Sequence, residues 1–417
     1  MNQSELNVFV NIQQGKRDQL ESVLRAYQLE WRANKVMPFE ALKTIHFCRW
    51  AVIPTLVTDQ GEIPERLTFE SNFDGDSKEV HITQLCNIAP EMVDSIYQYC
   101  ENYPEGEALT PQSRAAFLIQ NIHPSRVFFA GAPLRSLDRI LRENKLRLAL
   151  RECLNSNDYS NLSAGDVVVN LQKQIRNNAE FEWAQTKEKV PGTNYFKLFL
   201  FGLVMLPLIP FLLLLMVLLR IFCERKEVPL GLEPGEVGLD HMKLLEQNED
   251  YTFQNQFTQL LKLKPGLLRR ITLNFVLTAT EYLGKNLFDK GQLMGIPTIH
   301  FARWIILDDK KHMLFLSNFD GSWQQYLGDF IDKSGWGLTG IYSATEGFPK
   351  SYFLFFGGAY NEEQFLAWSR YYQIPTQFWF SAYPNLSIKN VINNSIIAHD
   401  LFSNLGEEKA QQFLNRI

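Results

Sequence analysis

The sequence predicts a mixed α+β protein in which one βαββαβ unit occurs twice, with a hydrophobic membrane segment inserted between the copies. Three observations lead there. Thr44–Trp50 reads TIHFCRW and Thr298–Trp304 reads TIHFARW. Phe69–Gly75, FESNFDG, returns in the same order as Phe315–Gly321, FLSNFDG. Phrases that recur in order mark an internal repeat. Between the copies, Leu198 to Leu219 carries no charged residue.

The first copy opens with an alternating strand, Leu6–Ile12. Gly15 leads into a helix from about Asp18 to Arg32, with Leu20, Val23, Leu24, Tyr27 and Trp31 on one face. TIHFCRW continues into Ala51-Val52-Ile53 as a second strand, and Leu67–Phe73 is the third, ended by Asp74-Gly75. A helix near Ile82–Cys100 and a strand near Arg126–Ala130 complete the unit, a ferredoxin-like order. The second copy repeats it. Phe253–Leu263 is a strand, a long helix runs from Pro265-Gly266 through Phe288, and Thr298–Leu307 with His312–Phe319 forms the hairpin. Trp323–Ile331 starts the second helix, and Tyr352–Phe356 is expected as the fourth strand, because Phe356–Ala359 echoes Phe129–Ala132.

Such a sheet covers one face with its helices and leaves the other bare, yet these strands are apolar on both sides. Strand alternation places His300, Ala302, Trp304 and Ile306 on one face and Ile299, Phe301, Arg303 and Ile305 on the other. The other copy's sheet is the nearest cover for the bare face, which gives an intrachain dimeric α+β barrel. The expected divisions are repeat 1 over 1–155, a helical linker over 156–194, the membrane segment over 195–223, a linker over 224–250, and repeat 2 with an aromatic extension over 251–417.

The apolar run from Leu198 to Leu219 would make about 33 Å of helix at ~1.5 Å per residue, enough to cross a bilayer core. Pro207 and Pro210 at its centre leave two topologies open, a single span or a re-entrant hairpin that turns back at the prolines. Lys187, Lys189 and Lys197 precede it and Arg220, Arg225 and Lys226 follow; with both ends basic the flanking charge does not decide, and it fits two ends on the same cytoplasmic face slightly better. If the two sheets pair within the chain, both copies lie on the same side and the run must turn back.

The 417 residues carry 41 basic and 46 acidic side chains, a formal charge of -5, with no long Lys/Arg block. That balance excludes a phosphate-neutralising surface and hence nucleic acid as a partner. Five cysteines without a CxxC spacing predict free thiols in a reducing compartment. The polar, amphipathic opening stretch predicts no signal peptide. P-loop, GxGxxG, HExxH, zinc-cluster and GxSxG motifs do not occur.

The phrases Thr298–Trp304, Ser317–Trp323 and Tyr326–Ile331 together resemble a family of mostly uncharacterised bacterial proteins in the dimeric α+β barrel superfamily, which also holds dye-decolourising peroxidases and chlorite dismutases. The likeness is closest across about residues 250–400 and weaker in the first copy. It implies a haem-dependent peroxidase-like oxidoreductase as one function, with Asp320 and Arg303 on the distal side. Asp320-Gly321-Ser322 resembles the end of the peroxidase GxxDG motif, but its leading glycine is missing and the first copy reads Asp74-Gly75-Asp76. The peroxidases' histidine motifs have no counterpart here, which leaves His399, in the late segment Ile392–Phe402, as the candidate metal ligand.

Read from the residues, the repeated His46 and His300 are hydrogen-bonded core histidines or ligands. Arg49 and Arg303 are expected to pair with Asp74 and Asp320 and lock each hairpin, or to bind an anion. His300, Trp304, Asn318, His46, Arg49 and Asp74 form the candidate ligand set; Leu198, Pro207, Pro210 and Leu219 mark the membrane segment. The aromatic run Phe378-Trp379-Phe380 with Tyr383 reads as core or as the lining of an apolar cavity. The reading is a membrane-attached binding protein for membrane lipid, an apolar or amphipathic small molecule or a partner protein. The haem enzyme is its alternative.

Overall fold

The computed structural model describes residues 2–58, 61–186, 193–287 and 292–417. The first part of the chain forms β1 (Gln3–Asn11), α1 (Arg17–Arg32), β2 (Ile45–Ile53), β3 (Arg66–Asp74), α2 (Lys78–Ile88), α3 (Pro90–Tyr97), α4 (Pro111–Gln120), β4 (Val127–Ala130), α5 (Leu137–Ser156) and α6 (Ala164–Arg176). The apolar segment forms α7 (Tyr195–Met205) and α8 (Ile209–Phe222). After α9 (Leu239–Glu246) come β5 (Gln254–Lys262), α10 (Leu267–Asn286), β6 (Ile299–Ile306), β7 (His312–Asp320), α11 (Trp323–Tyr342), α12 (Glu362–Tyr371), β8 (Thr376–Ser381), α13 (Ile388–Asp400) and α14 (Glu407–Leu414). The expected end of α10 at Phe288 lies outside the described residues, as do Lys187 and Lys189.

The fold is mixed α+β with antiparallel sheets, as expected. Two are four-stranded, in the orders β1-β3-β2-β8 and β4-β6-β7-β5. The two hairpins stand where the repeated phrases predict, in matching register: Trp50 faces Phe69 across one pair and Trp304 faces Phe315 across the other.

The fourth strands correct the sequence reading. β4 leaves its own copy and pairs with β6, while β8, from the end of the chain, pairs with β2. Tyr352–Phe356 is not a fourth strand: Ser351–Tyr352 and Phe356–Gly357 form a small hairpin by themselves. Phe353 and Leu354, at φ 49° and 68°, turn the chain there and end any strand. Before each crossing the chain touches its own sheet, since Ile122 bridges to Val8 of β1 and Gln373 bridges to Gln259 of β5. At one crossing Gly131 N–H donates to the His300 carbonyl at 2.7 Å. A Cβ at Gly131 would stand 2.1 Å from the Ile299 carbonyl oxygen, so the close backbone approach requires glycine.

Other elements shift for local reasons. The expected helix over Ile82–Cys100 breaks into α2 and α3 at Pro90, which has no N–H to continue the first. The segment over 156–194 is more than a linker: α6 and Ala179–Gln185 pack with α5, α13 and α14 around Leu146, Leu171, Phe181 and Ile397. The re-entrant hairpin does not form. Leu206, Leu208 and Ile209 keep right-handed helical backbone, so α7 continues through one 3-10 turn into α8. Each proline sits at the junction that opens the next segment, where the 3-10 turn accommodates the missing N–H. Tyr195–Lys226 is thus one helix of 32 residues, long and apolar enough to span a membrane.

The core has two helix-facing layers and a shared middle. Trp50 and Phe69 pack under the first copy's helices, and Trp304 and Phe315 under the second's. Phe47, Phe301 and Trp379 fill one end of the space between the sheets, and Phe9, Leu260 and Leu316 the other.

Candidate functional site

The repeated polar residues meet between the sheets. A β-bulge interrupts the β2–β3 pairing between Ile45 and Phe47, and the same bulge lies between Ile299 and Phe301. An inserted residue resets the alternation of facing. His46 and His300 therefore point into the inter-sheet space, on the side of Arg49 and Arg303 rather than of Trp50 and Trp304. The sequence reading had placed each histidine on the tryptophan side. Trp50 and Trp304 turn to the helices, donating Nε1–H to Tyr97 and Tyr342 hydroxyls at 3.2 Å each.

Each histidine meets the aspartate at the end of its own hairpin. His46 Nε2 is 3.0 Å from Asp74 Oδ1 and His300 Nε2 is 2.8 Å from Asp320 Oδ1. The second carboxylate oxygen accepts a backbone N–H at a helix start: Leu137 of α5 donates to Asp74 and Ile388 of α13 donates to Asp320, both at 2.7 Å. A carboxylate in that position satisfies an orphan amide and complements the helix dipole. Ser136 and Ser387 cap the same helices. The Tyr383 hydroxyl lies 3.2 Å from His46 Nδ1, and burial, with Asp74 and Asp320 nearby, pushes its pKa well up. That O–H stays protonated, and an imidazole that accepts it at Nδ1 carries its own proton on Nε2, toward Asp74. His300 Nδ1 is buried with no partner among the described residues.

The arginines cross between sheets. Arg49 donates to the Phe257 and Ser317 carbonyls at 2.8 Å each, to Thr258 Oγ1 at 3.1 Å and to Asn318 Oδ1 at 2.6 Å. Arg303 does the same in reverse, donating to the Leu6 carbonyl at 3.1 Å, to Asn7 Oδ1 at 2.6 Å and to Asn72 Oδ1. The expected partners were Asp74 and Asp320, but those carboxylates are held by histidine and helix. Both arginines pair instead with Glu70, Arg49 through Nε and Arg303 through Nη2 at 2.9 Å. Glu5 stands 3.7 Å from Arg303; against the opposing push of burial, Arg303 and Lys78 hold its carboxyl below the usual range. Burial pulls Arg49 down to about 10, with Glu70 opposing. Asn318 also accepts from Trp379 Nε1 at 2.9 Å, tying β8 to the opposite sheet.

Sequence reasoning thus found most of the polar residues but missed Glu70 and the amides that Ser136 and Ser387 precede, and it read Tyr383 as part of an aromatic cluster rather than as a partner of His46. A signal for the amides existed. Ala132-Pro133-Leu134-Arg135-Ser136-Leu137 and Tyr383-Pro384-Asn385-Leu386-Ser387-Ile388 share a proline three residues before a serine and an aliphatic residue after it.

His46, Arg49, Arg303 and Asn318 are fully buried, and His300 is 1% exposed. They are closed off from solvent in this structure, and the arrangement ties sheets to helices. A haem finds no seat among these residues. Phe47, Phe301, Trp379 and Tyr383 occupy the inter-sheet space, with Phe47 and Phe301 ring centroids 5.8 Å apart. Asp320 and Arg303 face separate partners rather than a common void. His399, at the end of α13, is part-exposed and bonded to Asp400 at 2.9 Å, away from that interior. Among the described residues no group of three His, Cys, Asp or Glu side chains is arranged to hold a metal ion.

Accessible space lies just outside the first lock. A cavity of about 620 Å³ opens between the end of α1, Phe39, Ile45, the start of α5 and Phe380–Asn385. Trp31, Phe39, Leu141 and Phe380 supply its apolar wall; Arg32, Lys35 and Lys43 line it together with the carboxylates Glu40 and Asp138. Arg32 lies over the Tyr251 ring at 4.7 Å and donates to Asn248 Oδ1 at 2.9 Å, yet among the described residues no carboxylate pairs with it. Burial lowers its pKa, and its Nε is buried without a partner. Comparison with protein-family models, curated proteins and solved structures finds no match to this chain.

Proposed function

We propose that the protein is a membrane-attached binding protein that holds an amphipathic small molecule with an acidic head in the cavity beside α1. Arg32 carries this reading: a half-buried guanidinium without a carboxylate, facing a cavity with aromatic walls. A buried cation of that kind is costly until an anion meets it. An apolar tail of the ligand would lie along Trp31, Phe39 and Phe380.

The scaffold reading goes with it. The two sheets are two ferredoxin-like copies whose fourth strand is split, its first residues bridging its own sheet and the rest extending the other, so that the copies close an α+β barrel within one chain. The bridges at Ile122 and Gln373 and the exchange of β4 and β8 support this reading. The globular part faces the cytoplasm, consistent with five free cysteines.

Quenching of tryptophan fluorescence on titration with laurate tests the binding reading, because Trp31 lines the cavity. Saturable quenching that weakens about tenfold in Arg32→Gln is expected, the loss of one charge-assisted contact. Equal binding by the variant, or none by the parent, removes the proposal.

A further inference from the structure

The apolar helix does not stand away from the body. Its N-terminal end is tied to the far end of α10: Asn194 N–H donates to the Asn286 carbonyl at 3.3 Å and the Tyr282 hydroxyl donates to the Lys197 carbonyl at 2.8 Å. Phe201 stacks on Tyr282, ring centroids 4.7 Å apart. Its C-terminal end is tied to the start of α10: Leu219 packs among Leu273, Val276 and Leu277, and Glu227 pairs with Lys264 at 3.2 Å and Arg269 at 2.5 Å. Buried Glu224 accepts from Phe353 N–H at 2.8 Å and Leu354 N–H at 2.7 Å. The helix therefore lies antiparallel along α10. The sheltered positions Leu198, Phe201, Met205, Leu212, Leu215 and Leu219 form one stripe at helical spacing.

The rest of its surface is apolar and exposed, with only 11% of its most apolar window buried. Phe199, Leu203, Leu206, Phe211, Leu214 and Phe222 point away from the body. Tyr352, Phe353 and Phe356 of the small hairpin stand exposed beside its C-terminal end, with Arg220 over the Tyr352 ring at 4.6 Å. Next to that end a cavity of about 220 Å³ is lined by Lys262, Lys264, Arg269, Arg270, Lys310 and Lys311, of which Lys262 pairs with Glu346 and Lys264 and Arg269 with Glu227. Arg270 and Lys310 are exposed.

We infer that α7 and α8 lie in the plane of an anionic lipid bilayer, submerged in one leaflet without crossing it, with the lysines and arginines around the start of α10 on its head groups. The inference rests on the membrane-attachment reading and specifies its geometry and lipid class. A helix fastened at both ends along the body cannot cross without leaving α10, which would uncover Leu219 and strand Glu224 in hydrocarbon. Lying flat, it buries its apolar faces at acyl depth and sets aromatic rings at head-group level. The basic cluster explains why the lipid is anionic. Both copies then stay on one side although the helix never turns back.

The test uses the full chain with Cys153 and Cys223 replaced by Ser, which leaves only buried thiols. Single cysteines are placed at exposed positions at either end, Tyr195→Cys and Lys226→Cys, and the protein is bound to sealed vesicles of phosphatidylcholine alone or with phosphatidylglycerol. An impermeant maleimide added outside is expected to label both ends; protection of one end means a crossing helix and overturns the inference. Binding is expected to be stronger on the phosphatidylglycerol vesicles and to fall at least about tenfold in Arg270→Glu with Lys310→Glu. Equal binding to both vesicles overturns the anionic assignment. No sedimentation with either vesicle refutes membrane attachment itself, an outcome distinct from one protected end.

Discussion

The two hairpins carry the same phrase yet solve one problem differently. On β3 the residue opposite Arg49 is Glu70; on β7 the residue opposite Arg303 is Leu316. The second arginine therefore borrows the first copy's carboxylate across the sheet interface. Under the helices the exchange runs the other way. His81 stacks on Phe73 at 3.9 Å and meets Ser71 Oγ at 3.1 Å; Tyr326 stacks on Phe319 at 3.9 Å and donates to Ser317 Oγ at 2.7 Å. One ring position thus titrates in the first copy and is inert in the second. The two matching hairpins share the geometry of each contact while the charged and titratable groups are placed differently in each.

Breaking the shared carboxylate should have the largest effect. Glu70→Gln leaves, among the described residues, Arg49 without a carboxylate and Arg303 with Glu5 alone at 3.7 Å, and is expected to cost about 3–5 kcal/mol in urea unfolding. Arg49→Met or Arg303→Met should cost less, since Glu70 keeps the other arginine. If either arginine variant proves worse, Glu70 is not the shared partner.

The ring position comes next. Burial holds the His81 imidazole down to about 4 from 6.5, so the folded state prefers it neutral while the unfolded chain takes up a proton. Its contribution is complete above about pH 6.5 and is lost as pH falls toward 4, about 3 kcal/mol in all at ~1.4 kcal/mol per unit. His81→Tyr, which installs the second copy's residue, should flatten the stability profile between pH 6.5 and 4.5. An unchanged slope would place the acid sensitivity elsewhere.

Smaller differences separate the two aspartates. Asp74→Ala and Asp320→Ala each strand a helix amide and a histidine, at about 1–3 kcal/mol. The second should cost more, because His46 keeps the Tyr383 hydroxyl at 3.2 Å whereas His300 keeps, among the described residues, only a longer contact with Gln254 Nε2 at 3.4 Å. Equal losses would show that the tyrosine adds nothing. Least affected should be Cys48→Ala, about 1 kcal/mol or less, since Ala302 already fills the matching place beside Ser317.

The hairpins were legible in the sequence because alternation, Asp-Gly turns and a repeated phrase all marked the same residues. The fourth strands were not. Val127–Ala130 is short and apolar on both faces, and nothing in such a run says which sheet it joins. β8 was read as part of an aromatic core cluster, since Phe378-Trp379-Phe380 has no alternation to betray a strand. The polar residues of the lock were found by repetition, but their partners were misassigned. One inserted residue at each bulge turned the histidines inward, and the aspartates were then claimed by helix amides more than sixty residues away. The apolar run from Leu198 to Leu219 was legible from composition; its continuity as one helix from Tyr195 to Lys226 and its attachment along α10 depend on backbone and tertiary contacts that composition does not encode.

The exchange of β4 and β8 has a consequence for how the chain is made. The free edge of β2, at residues 45–53, stays unpaired until residues 376–381 have left the ribosome. Through that interval the nascent chain presents an apolar strand edge, the kind of surface that templates aggregation. Contacts at such sequence separation also close slowly. The N-terminal sheet, though synthesised first, is finished last, and a chain cut short before residue 376 should be lost to proteolysis however well its first half is encoded.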